Sequence, residues 1–132
     1  MAITSSKITN LGKFNITKLL TNTSPDYYIG IGVGNDTNAA LETQTGLLGD
    51  ETSFKDGNVS NFSSTNNSYI AQWNSTFVFA DLTTHIFREV VVCENASNNT
   101  GVSLLRGVYD AVTLGASDSL ALTVQISVDE QV

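Results

Sequence analysis

From Leu120 onward the chain alternates without a break: Leu120, Leu122, Val124, Ile126 and Val128 against Ala121, Thr123, Gln125 and Ser127. A period of two describes a strand with one buried and one solvated face. The same period runs through Tyr69, Ala71, Trp73, Ser75, Phe77 and Phe79, which alternate with Ile70, Gln72, Asn74, Thr76 and Val78. Two long half-apolar strands must cover their inner faces with another layer, so this chain is confined to packed β-layers. Weaker strand signals lie at Tyr27–Gly34, at Thr52–Ser64, at His85–Cys93 and at Val102–Tyr109. In Tyr27–Gly34, Ile29, Ile31 and Val33 share one face and Gly30, Gly32 and Gly34 the other. Asp56-Gly57 reads as a hairpin-turn pair interrupting Thr52–Ser64. Together these predict a mainly β protein, an antiparallel β-sandwich of jelly-roll-like kind, with a β-rich body over residues 27–132.

The first 22 residues predict a short helical segment. Thr4, Ser5 or Ser6 is placed to cap it, and Ile8, Leu11, Asn15/Ile16 and Leu19 recur at near-helical spacing. Gly12, Asn15, Thr9, Ile16 and Thr17 weaken it, and Pro25 cannot continue it. Asn35–Gly49 reads as a polar loop with one helical turn at Ala39–Glu42, and Glu94–Gly101 as a loop tip. No repeat or linker divides the chain, so residues 1–132 are expected to form a single domain.

Composition narrows the chemistry. Six Lys plus Arg stand against thirteen Asp plus Glu, a formal charge of −7, which argues against a partner held by phosphate neutralisation; no nucleic acid is expected. One Cys and one His, Cys93 and His85, make neither an internal disulfide nor the usual zinc site. Nucleophilic catalysis would need a partner for them that nothing in the sequence specifies. No apolar run approaches the roughly 18 residues that span a bilayer, so no membrane is expected. Met1–Lys7 lacks the pattern of a signal peptide. The expectation is a protein without catalytic, cofactor or metal residues.

Each pattern that suggests a site has a plainer reading. Gly30-x-Gly32-x-Gly34 departs from the dinucleotide fingerprint in its third glycine and in the loop that follows, and reads as a glycine-faced strand. Asp36, Asn38, Asp50, Glu51, Asp56 and Asn58 offer oxygens to calcium without the EF-hand spacing. Glu89, Asp110 and Asp118 are carboxylates for a glycosidase only if a cleft joins two of them. Tyr27, Tyr28, Trp73 and Phe77 suggest a carbohydrate platform but, as strand aromatics, read as core. Asn-x-Ser/Thr triplets at Asn15, Asn22, Asn35, Asn58, Asn61, Asn66, Asn74, Asn95 and Asn98 follow from composition in so Asn/Ser/Thr-rich a chain.

Two stretches carry a more specific likeness. Tyr28-Ile29-Gly30-Ile31-Gly32-Val33-Gly34-Asn35-Asp36-Thr37, followed by Leu41-Glu42, resembles the opening of small tailed-phage virion proteins of head-decoration, head-fibre or tail-fibre-like type. Ile86-Phe87-Arg88-Glu89-Val90, Leu104-Leu105-Arg106-Gly107-Val108-Tyr109 and Val112-Thr113-Leu114-Gly115-Ala116-Ser117-Asp118-Ser119-Leu120 are similar to their ending. Val91 stands where those proteins commonly carry a glycine, and Thr52–Asn67 lies outside the likeness. The resemblance implies a structural virion protein on the particle surface, assembled in the host cytoplasm, with the major capsid protein or other head or tail proteins as partners. It also implies a homo-oligomer, a trimer before a dimer, for which the glycine face of Gly30, Gly32 and Gly34 offers a close approach. The alternative is a receptor-binding module whose Glu94–Gly101 loop meets host glycans; a small hydrolase is a third reading.

Overall fold

The computed structural model describes residues 3–63, 69–94 and 103–129. In chain order it comprises β1 (Ile3–Ile8), α1 (Asn10–Thr21), β2 (Gly30–Gly34), β3 (Thr52–Asp56), β4 (Asn58–Ser63) and β5 (Tyr69–Val78). A 3-10 turn (Phe79–Asp81), β6 (Ile86–Cys93), β7 (Ser103–Thr113) and β8 (Ser119–Val128) follow. A five-stranded sheet in the order β1-β7-β6-β2-β3 packs on a three-stranded sheet in the order β4-β5-β8, and every pairing is antiparallel. This is the β-sandwich with a short N-terminal helix that the alternation predicts.

The inner layer takes the apolar half of each alternating strand. Trp73 pairs with Val124 and Phe77 with Leu120 across β5 and β8, and they meet Ile31, Val33, Phe87, Val92 and Tyr109 of the large sheet. Trp73 satisfies its indole by donating to the Tyr28 carbonyl at 2.9 Å. The outer faces of β5 and β8 are polar: Thr123 donates to Asn74 at 2.7 Å and Gln125 to Gln72 at 2.6 Å.

Several expectations are corrected. Thr4–Ser6 belong to strand β1 rather than to a helix cap, because β1 finds a partner 104 residues away in β7, and tertiary pairing overrides local propensity. Thr9 is the N-cap, its hydroxyl accepting from the Gly12 amide at 2.9 Å. The helix ends before Pro25, at Asn22, whose left-handed φ of 51° closes it. It also buries Gly12 and Asn15 while Phe14 and Leu20 stay exposed. Asp56-Gly57 makes no hairpin: β3 pairs with β2 and β4 with β5, so the chain crosses from one sheet to the other at Gly57. Residues Ala39–Glu42 are not helical; the Ala40 amide donates to Ser5 Oγ at 2.9 Å and the Asn10 amide to the Glu42 carbonyl at 2.7 Å. Strand β2 begins at Gly30, leaving Ile29 exposed. Of the expected Glu94–Gly101 loop tip, residues 95–101 lie outside the described residues.

Candidate functional site

The large sheet has a second covered face. Across the irregular pairing between Phe87 and Glu89, Phe87, Val90 and Val92 point into the sandwich, whereas Val91 and Cys93 pack outward with Leu47 and Phe54. Glu89 faces outward with them. Arg106 pairs with Val91 on neighbouring β7 and shares that face. Residues 35–51 fold over it, and Glu89 and Arg106 are both completely buried.

Their hydrogen bonds close a network. Arg106 Nε and Nη2 donate to Glu89 Oε2 at 3.0 and 2.8 Å, and Nη2 also donates to Asp36 Oδ2 at 3.0 Å. Its Nη1 donates to the Asn38 carbonyl at 2.8 Å and to Gln44 Oε1 at 3.2 Å. A guanidinium has five N–H donors, and each here has an acceptor. Glu89 accepts in turn from the amides of Gly49 at 2.7 Å, Leu48 at 3.0 Å and Asp36 at 3.3 Å. One carboxylate and one guanidinium thus hold both ends of the loop. Buried charges are tolerated when they are paired and their remaining groups bonded. The arrangement positions backbone; with its donors consumed and both side chains out of solvent, it is built to hold rather than to react.

The sequence-derived candidates are dispersed. Gly32 and Gly34 do not wait for a neighbouring molecule: a methyl at Gly32 would meet Phe54, and one at Gly34 would fall on Glu89 Oε1. That glycine face is filled by the chain's own loop and strand, which removes its role as an oligomer contact. Of the calcium set, Asp36 is committed to Arg106 and to the Asn38 amide at 2.9 Å, while Glu51 accepts from the Thr84 amide at 3.0 Å. Asp50 is exposed, and Asp56 and Asn58 flank the crossing at Gly57. Among the described residues no three His, Cys, Asp or Glu side chains gather as a metal site. Glu89 sits inside the clamp, Asp110 is exposed and Asp118 accepts from the Gly115 amide at 2.7 Å. Tyr28, Trp73 and Phe77 are core, leaving Tyr27 exposed. His85 stacks on Phe79 with ring centres 3.4 Å apart, and Cys93 is buried. Asn15 is buried with its amide bonded to the Asp26 backbone, so that triplet is closed to modification; Asn66, Asn95 and Asn98 lie outside the described residues.

Residue reasoning singled out neither Arg106 nor Gln44. The signal for the clamp was present: Glu89 and Arg106 each interrupt an apolar strand run, and a charge placed there is buried only when paired.

Local electrostatics follow from burial and contact. Burial pushes the Tyr28 phenol up to about 12; Asn15 beside it is spent on the Asp26 backbone. Burial, and then the charge of Glu89, raise Tyr109 further. The Thr84 hydroxyl holds Glu51 below the ordinary carboxylate range, and Lys13, 2.8 Å from Glu42, does the same there.

A separate groove of about 540 Å³ opens between the two sheets. Its walls are the inner faces of β1 and β7 (Ile3, Ser6, Ile8, Leu105, Tyr109) and of β8 (Leu122, Val124, Ile126). Lys7, Lys13 and Glu42 stand at its border. Compared with protein-family models, with curated proteins and with solved structures, the chain matches none.

Proposed function

We propose that the protein is a non-catalytic structural component of a tailed-phage particle, displayed on the virion surface as a homotrimer and attached to the major capsid protein or to another head or tail protein. The observation that carries this reading is spatial. Asp36 in the first stretch of resemblance and Glu89 in the second are 53 residues apart along the chain. The two stretches nevertheless meet in the clamp, with Gly34 and Asp36 from the first against Glu89 and Arg106 from the second. Residues that resemble one family at distant positions therefore serve one three-dimensional purpose, holding the 35–51 loop on the sheet. A building block needs such a rigid surface and no reactive group. Phe14 and Leu20 on α1 are 60% and 82% exposed, with Leu11 on the same helix also exposed, and they supply apolar area for contact between copies. The test is gold-labelled antibody against the protein on purified particles from the source culture, together with light scattering of the isolated protein. Labelled particles and a trimeric mass are expected. Particles without label would overturn the virion assignment, and a monomer at all concentrations would overturn the trimer.

A further inference from the structure

We infer that the groove between β1, β7 and β8 takes an extended segment of a second polypeptide, which adds as a fourth strand of the small sheet to the edge of β8 that has no neighbouring strand among the described residues. The inference stands apart from the virion reading. Five strands face three, and at about 4.8 Å per strand the large sheet overhangs by roughly 10 Å. The groove runs along β1 and β7, where Ile3 is exposed and Ile8 half-buried while Leu105 and Tyr109 reach into the core.

The edge itself specifies the occupant. Strand β8 runs Ser-Leu-Ala-Leu-Thr-Val-Gln-Ile-Ser-Val, without a charge or a proline. Exposed edges usually carry such residues as protection against pairing. The other outer strand bordering the groove, β1, carries Lys7 and an irregular register. On the edge away from β5, Leu122–Ile126 offers about 17 Å of backbone without a strand partner among the described residues, enough for a segment of about five to seven residues. Antiparallel pairing places opposite residues on one face, so the segment must carry apolar side chains at every second position, facing Leu122, Val124 and Ile126. Tyr109 is 4% exposed and its hydroxyl has no partner among the described residues, although it lines the groove; the added strand supplies one.

A second copy is the poorer occupant. Pairing β8 to β8 would drive the two overhanging large sheets into each other, whereas a lone strand occupies only the space beneath one.

The probe is a fluorescent peptide of alternating threonine and valine closed by aspartate at each end, titrated into the protein by anisotropy. Amide exchange is followed along β8. Saturable binding with new protection over Leu122–Ile126 is expected. Ser6→Trp, which fills the groove from β1, should weaken binding at least tenfold while thermal unfolding shows the fold intact. A control peptide with proline at its centre should not bind. Absence of binding would overturn the inference. So would binding unaffected by Ser6→Trp, protection of β8 through self-association without peptide, or occupation of the groove by a fatty acid but not by the peptide.

Discussion

Arg106 and Glu89 hold one another and a loop, so the two side chains are not separable. Removing one partner leaves an unpaired buried charge, and Glu89→Ala should cost about 3–5 kcal/mol in urea unfolding. Replacing both, as Glu89→Leu with Arg106→Met, should cost less than the sum of the single changes, although amides in residues 36–49 lose exchange protection. Strict additivity of the two changes would show that they act independently. Gly12 provides a second test at this scale. Alanine favours helix by up to about 1 kcal/mol over glycine, yet a methyl here falls on the backbone carbonyl of Leu104. Gly12→Ala should therefore destabilise by about 1–3 kcal/mol, and a stabilised variant would mean that α1 stands off from β7. The clamp was half legible in the sequence: charges set into apolar strand runs announce pairing, but which partners complete it depends on contacts across 17 to 70 residues of chain.

Alternation in β5 and β8 located both strands to within about a residue, because periodicity is a local property. It did not reveal the depth of each position. Leu122 is buried, Val124 is half-buried at the groove and Val128 is 68% exposed. Strand β8 lies at an edge of the three-stranded sheet. Leu122→Ala should cost about 2–5 kcal/mol, and Val128→Ala no more than about 0.5 kcal/mol. Equal costs in chemical unfolding would contradict this gradient. Elements also carry the pH response. Glu51, in the turn before β3, is held below its ordinary range by Thr84. The folded state then binds its proton less readily than the unfolded one. The stabilisation is present above the unfolded carboxylate value, about 4.3, and fades as pH falls through the folded one. Glu51→Gln should thus unfold more easily than the parent at pH 7, and the difference should close below about pH 4. A difference that persists in acid would point to lost packing.

At the scale of the whole molecule, the proposed contact between copies draws on the outer side of α1. Phe14→Ser with Leu20→Ser should shift the proposed trimer to monomer in light scattering while leaving the unfolding midpoint nearly unchanged, since both side chains are already exposed. Loss of the fold instead would place those residues in the core. The β-sandwich class was readable from strand periodicity, but the five-and-three division was not, since it is decided at Gly57, where a turn signal proved to be a crossing between sheets. The pairing of β1 with β7 also has a consequence in time. During synthesis Thr4 leaves the ribosome 104 residues ahead of Val108, whose carbonyl it will bond, and Thr9 waits almost as long for Ser103. The first strand made is among the last to be docked, so a nascent chain stalled before Ser103 should carry β1 and its helix unanchored and open to protease, and become resistant once β7 has emerged.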